Sequence, residues 1–302
     1  MTLPVDGIKL HRGNFAAIGQ QIQPLLDAGQ CFRLQVKPWR EKRSLSQNAL
    51  FHLWMGEISE YLIKSGRSWT VDRSHDWGES KPFSNLWWAQ ADGTAAELPD
   101  GRQFCPPAGS IILIGEWYGC PPDELNKGLN MSSTNVAKGV AWIDKRLVGE
   151  EADEPEEIQI DGVTQGQLHI MPGICSEVIP GPADGAIFNT GDNELSIAQK
   201  MEAQGVTWLP ANKKPGSRIN GASLFADMLE AVIEGVKLES GMPEKPAFYV
   251  FDYCRGWISR IPVLVRDDTN PDDVDTQQED HDWDGTRYRV LHSPKQVGAV
   301  FF

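Results

Sequence analysis

The 302-residue sequence contains no CxxC pair. Its five cysteines (Cys31, Cys105, Cys120, Cys175 and Cys254) are odd in number and widely scattered. That pattern excludes a zinc ribbon or a disulfide framework and leads us to expect a reduced, cytoplasmic protein. No apolar run approaches the roughly 18 residues that would mark a membrane span, so no membrane partner is expected. The opening stretch MTLPVDGIKLHRGN lacks the apolar core of a secretion signal. No GxxxxGK[ST] phosphate loop occurs, which excludes an ATPase motor of that type. No self-similar period marks a repeat protein.

Basic residues are in the minority, 28 Lys and Arg against 42 Asp and Glu for a net charge of −14. The imbalance is local. Residues 1–70 carry nine basic and five acidic side chains, so the excess acid lies downstream, in blocks such as GEEADEPEE (149–157) and DDTNPDDVDTQQED (267–280). Such blocks read first as solvated loops. Salt screens their field beyond about 10 Å, so the global charge does not exclude a local groove for DNA. Hydrophobic content of 40% with eleven Trp favours a globular chain, long enough for two units.

The first 70 residues read as a small α+β unit. A helical pattern over 15–29 ends at Gly29, CFRLQVKPW (31–39) alternates like a strand, and 46–66 reads as an amphipathic helix closed by Gly66. Between the last two, Lys37, Arg40, Lys42 and Arg43 surround Trp39. A basic turn with an aromatic can bind single strands through phosphate contacts and base stacking, although a solvated turn is the plainer reading. The stretch REKRSLSQNALFHLWMGEIS (40–59), with its Arg-Ser-Leu-x-Gln-Asn core, resembles the NinB recombination-protein family of phages over about 65 residues. The resemblance implies single-stranded-DNA binding through Arg40, Lys42 and Arg43, with the unit spanning 1–68.

From about residue 70 three strands are expected, at 71–78, 82–90 and 110–119. A helix follows at 132–147, capped by Ser132 or Ser133. After the acidic insert come a strand at 174–179, a turn at 180–186, a helix at 193–204 and a strand at 205–211. A helix at 222–239, a strand at 247–252, a short helix and a last helix from about 279 complete the pattern. Three strands and then alternating helices and strands imply a mixed sheet with helices on its faces. This is an α/β architecture in the element order of the ribonuclease-H-like fold, expected to occupy 70–302.

Three acidic positions stand out in that order. Asp76 ends the first strand, Asp184 follows the PGPA turn, and Asp284 lies on the last helix one turn after Asp280 and three residues after His281. Taken singly, each is more often a turn residue or solvated. Taken together they are what a two-metal phosphodiesterase site needs, since converging carboxylates stay ionised only beside a cation and Mg²⁺ or Mn²⁺ prefers oxygen ligands. The segments DRSHDWGESKPFSNLWWA, GEWYGCPPDELNKGLNMSS, PGPADGAIFN, KKPGSRINGASLF and DDVDTQQEDHDWDGTRY resemble consecutive motifs of the nuclease domain of phage terminase large subunits, over about 70–293.

That resemblance implies a DNA endonuclease of the packaging type, of a phage or prophage in the host cytoplasm and without its own motor. It implies two Mg²⁺ or Mn²⁺ ions on Asp76, Asp184 and Asp284, with Asp280 and His281 as neighbours or ligands. Double-stranded DNA is the implied substrate, with a terminase small subunit or portal protein as possible partners. Lys213, Lys214 and Arg218, in a Gly/Pro-bearing loop, would contact the phosphate backbone. Glu279 and Asp282 are expected to be solvated, and Gly285 to weaken the last helix by up to about 1 kcal/mol. The alternative is a non-catalytic single-strand-binding recombination accessory whose nuclease half has decayed.

Overall fold

The computed structural model describes residues 70–292, apart from short breaks at 94–95, 98–102, 123, 161–162, 191–193, 234, 236, 238–242, 268–272 and 277, together with residues 23, 27 and 28. The amino-terminal unit, with Arg40, Lys42 and Arg43, therefore lies outside the described residues. No helix among the described residues is long and apolar enough to cross a membrane.

Strands β1 (Thr70–Asp76), β2 (Ser84–Gln90) and β3 (Ile111–Tyr118) form an antiparallel meander. Helix α1 (Ser133–Val148) follows, then β4 (Gln167–Ile170), β5 (Glu177–Ile179) and β6 (Pro182–Ala183). Helix α2 (Ile197–Glu202), strand β7 (Leu209–Pro210), helix α3 (Ser217–Ile233) and strand β8 (Phe248–Val250) come next. Helices α4 (Arg255–Arg260) and α5 (His281–Val290) close the order. The eight strands make one mixed sheet in the order β7-β6-β1-β2-β3-β8, with β4 beside β3 and β5 beside β1. Strands β5 and β6 run parallel to β1, β7 parallel to β6 and β8 parallel to β3.

Strand β2 shows why the sequence does not alternate there. Every residue from Ser84 to Ala89 is buried, because helices cover both faces of the sheet. On one face Asp144 of α1 accepts Arg73 Nη1 at 2.7 Å and Trp87 Nε1 at 2.8 Å. On the other, Trp88 Nε1 donates to Ser74 Oγ at 2.8 Å and its ring meets Phe248, which packs with Phe225 of α3 and Trp257 of α4. Neighbouring residues of one strand thus serve opposite faces.

Helix α1 has the ends its sequence promises. Ser132 Oγ accepts the Asn135 N–H, Gly149 closes the helix in the left-handed region at φ 90°, and Lys145 and Arg146 occupy the last turn. Several elements differ in extent from the expected ones. The strands expected at 174–179 and 205–211 shrink to three and two residues, and α3 begins five residues early, at Ser217. The acidic insert carries a one-turn helix, Glu156–Ile158, and a small hairpin pairing Gln159–Ile160 with Val163–Thr164.

Candidate active site

Asp76 is the last residue of β1, near the middle of the sheet and 5% exposed. The parallel pairing of β1 with β6 sets His75 opposite Ala183, and the Asp184 N–H donates to His75 O at 3.0 Å. Register alone therefore delivers Asp184 beside Asp76. Gly181 makes the approach possible, since a Cβ there would stand 1.9 Å from Arg73 O. Asp184 opens a short 3-10 turn by accepting the Ala186 N–H at 2.7 Å, and its Oδ1 also takes Lys213 Nζ at 2.6 Å.

Helix α5 crosses the same end of β1 and holds both oxygens of Asp76. His281 Nδ1 lies 3.0 Å from Oδ2, and Tyr288 OH donates to Oδ1 at 3.2 Å. The two grips are seven residues apart, two helical turns, and so share one face. Asp280 precedes the first turn and Asp284 lies one turn on, with its N–H bonded to Asp280 O. Asp284 accepts Arg218 Nη1 and Arg287 Nη2, both at 3.0 Å, while Arg218 Nε bonds Asp273 at 2.6 Å and its Nη2 lies 3.7 Å from Asp280.

The electrostatics tie these groups together. Burial pushes the Asp76 carboxyl up to about 6; the hydrogen bond from His281 opposes the shift, and the nearby charges of Asp284 and Asp184 add to it. Asp280 is likewise pushed up to about 6, by burial and then by Asp284. Burial alone would lower His281, but its hydrogen bond to Asp76 and the charges of Asp76, Asp280 and Asp282 outweigh it and raise the imidazole. Tyr288 is raised by burial and then by Asp76, Asp284 and Asp184, which places it in the field of all three.

Oxygen donors from three elements suit a hard divalent cation by type. As they stand, both Asp76 oxygens meet His281 and Tyr288, Asp184 Oδ1 accepts Lys213, and Asp284 Oδ1 accepts Arg218 and Arg287. Among the described residues, no three His, Cys, Asp or Glu side chains are arranged to hold a metal ion. Lys213 and Lys214 border a cavity of about 350 Å³ that also reaches Asn212, Tyr288 and His292. Arg218 does not face outward with them; it turns onto the carboxylates of Asp273 and Asp284.

No protein-family model matches the chain. Two curated proteins match it over 71 residues, 24% of this chain. One is the uncharacterized protein in the rusA 5′ region of Enterobacteria phage 82, 68% identical, and the other the uncharacterized protein YbcN of Escherichia coli strain K12, 70% identical. Both matches cover 47% of the relative, so the chain spans about half the length of the curated relatives it matches. Among solved structures, the P22 large terminase nuclease domain aligns over 73% of this chain and 79% of its own, with a TM-score of 0.37 and 15% identity.

Several residues at the site escape sequence reasoning. Tyr288 and Arg287 read as ordinary helix positions, and only the seven-residue step from His281 to Tyr288 could have placed both on the Asp76 face. Asp273 belongs to a block that reads as solvated. Two expectations are corrected. Asp282 is 1% exposed, bonded to Ser84 Oγ and Arg260 Nε, both at 2.6 Å. Glu279 accepts Tyr118 OH at 3.0 Å and the Asn126 N–H at 3.1 Å. Neither is a free solvated charge. Gly285 is also no simple weak point. A Cβ there would stand 3.1 Å from Leu86 Cδ1 and 3.5 Å from Ser74 Oγ, so its bareness lets α5 lie close against β1 and β2.

Proposed function

We propose that residues 70–292 form a metal-dependent DNA endonuclease of the phage-terminase type. One observation carries this reading. Asp76 at the end of a central strand, Asp184 on the parallel neighbour, and the Asp280, His281 and Asp284 face of a late helix meet at one end of the sheet, with Lys213 and Lys214 alongside. The strand order supports the ribonuclease-H-like form of the fold, in which an antiparallel meander is extended beside its first strand by parallel strands. The resemblance of five ordered sequence motifs to terminase nuclease domains points the same way.

Asp76, Asp184 and Asp284 are the residues that would hold Mg²⁺ or Mn²⁺, with Asp280 and His281 beside them. When bound, two such ions supply Lewis acidity toward the attacking water and the leaving 3′ oxygen. The chain's own groups do the rest. His281 and Tyr288 fix the rotamer of Asp76. Lys213 and Lys214 offer positive charge to the phosphate backbone of double-stranded DNA without reading its sequence. The amino-terminal unit, taken as 1–68, would add single-stranded-DNA binding through Arg40, Lys42 and Arg43. A terminase small subunit or a portal protein would supply the packaging context, in the cytoplasm of the host.

The ion pairs of Lys213, Arg218 and Arg287 with these carboxylates favour a second reading, in which the chain binds DNA and no longer cuts it. Purified protein mixed with supercoiled plasmid and Mn²⁺ or Mg²⁺ separates the two. Metal-dependent nicking that vanishes in Asp76→Ala is expected. Equal behaviour of wild type and Asp76→Ala at matched metal and salt would refute the endonuclease.

A further inference from the structure

The side chains at the start of α5 and along it fall into two sets on adjoining faces. At about 100° per residue, Asp280, His281, Asp284 and Tyr288 cover an arc that looks toward Asp76. Asp282, Gly285, Thr286 and Arg289 cover the adjoining arc, against the sheet and α4, and all four are buried. The second arc is where the helix is fastened. Asp282 is held by Ser84 of β2 and Arg260 of α4. Thr286 Oγ1 donates to Asp282 O at 2.6 Å and accepts Trp257 Nε1 of α4 at 2.9 Å.

Arg260 is the hub of this fastening. Its Nε bonds Asp282 at 2.6 Å, its Nη1 bonds Gln167 Oε1 of β4 at 2.9 Å, and its Nη2 lies 3.3 Å from Glu116 of β3. Its guanidinium also stacks over the Tyr118 ring at 3.7 Å. Glu116 is anchored independently by the Gly256 and Trp257 N–H groups at the start of α4, both at 2.7 Å. Sheet, α4 and α5 are thus joined through one planar cation whose five donors have a fixed geometry.

We propose that Arg260 and Asp282 are positioning residues, which set the rotation of α5 about its axis and thereby place His281 and Tyr288 on Asp76. Neither touches Asp76, Asp184 or Asp284. A helix turned by one residue, about 100°, would carry His281 and Tyr288 away from the strand end. The catalytic value of this placement rests on the endonuclease reading; the placement itself does not.

Two readouts keep those questions apart. In the full chain labelled with ¹⁵N-histidine, at a pH where the ring is neutral, the wild-type His281 ring should show Nδ1 carrying the proton, held by Asp76. Free imidazole prefers the other tautomer. In Asp282→Asn and in Arg260→Lys, His281 should move toward the free pattern while the protein stays folded by circular dichroism. Ser84→Ala, which removes one anchor and keeps the charge pair, should give a smaller move in the same direction. Plasmid nicking by the first two variants should fall at least tenfold in kcat, with KM for DNA within twofold of wild type. A double variant should be no worse than the poorer single one, as coupled partners require. An unchanged His281 signature in all three folded variants would overturn the proposal. A shifted signature in a chain whose wild type never nicks DNA would support the positioning role and overturn the endonuclease instead.

Discussion

Replacing Asp76 by Asn should make the metal-free protein more stable at pH 8 and less stable at pH 4. In the fold the carboxyl is held up to about 6, against an ordinary value of 3.8. A carboxyl raised in this way binds its proton more tightly in the folded state, so it opposes folding increasingly as the pH rises above the ordinary value and fully above about 6. A difference of about two pH units corresponds to roughly 3 kcal/mol. Asn removes that charge. It keeps one acceptor for the two donors, His281 and Tyr288, and so loses one hydrogen bond worth about 1 kcal/mol. The net gain at pH 8 is about 2 kcal/mol, or about 4–8 °C in Tm for a unit of this size. At pH 4, close to the ordinary value, the carboxyl is protonated in the fold and about half protonated in the unfolded chain, so the gain shrinks to about 0.6 kcal/mol. The loss of one hydrogen bond remains and now outweighs it. Thermal unfolding with a chelator present, at both pH values, tests the crossing. Asn lowering Tm at pH 8, or shifting it equally at both pH values, would refute the electrostatic account. Mn²⁺ should then raise the Tm of the wild type and leave that of the variant nearly unchanged, because a ligand stabilises the folded state it binds.

Two further outcomes probe the scaffold. Asp144→Ala strips the partner from Arg73, which is 3% exposed, and from the Trp87 N–H. A broken buried pair costs about 3–5 kcal/mol, so Tm by circular dichroism should fall by about 6–20 °C; a fall under about 3 °C would contradict it. Gly181→Ala drives a Cβ into Arg73 O and should push β6 off β1 at about 1–3 kcal/mol. Hydrogen exchange should then quicken at the Asp184 and Leu209 N–H groups, which donate to His75 O and Gly181 O, while β2 stays protected.

The meander, α1 and its cap, and the order of the later elements were legible because each rests on local signals: apolar runs, a Ser before a helix, a Gly after it. Asp76 was legible as a strand-end carboxylate and Asp184 as a turn residue after PGPA. What brings them together is the register of β6 on β1, which two residues of strand could not announce. The charge reading failed at Glu279 and Asp282 for a related reason. A sequence displays a carboxylate but not the Tyr118 hydroxyl, the Ser84 hydroxyl or the Arg260 fork that waits for it. At Gly285 propensity weighed the isolated helix, whereas the space between Leu86 and Ser74 governs the position. Arg40, Lys42 and Arg43 lie outside the described residues and their expected role stays a proposal.

The bonds from α5 to Asp76 span 205 and 212 residues of chain. Closing a loop of that length is slow compared with pairing neighbouring strands, so the sheet can exist before the site does, and the site cannot exist without the sheet. The same asymmetry holds in reverse on heating. Detachment of one ten-residue helix would carry His281, Asp284 and Tyr288 away from Asp76 and Asp184 while leaving the tryptophan-rich interior of the meander in place. Loss of cleavage should therefore come before loss of fold, and reattaching α5 on cooling should restore it without the chain having to find its topology again.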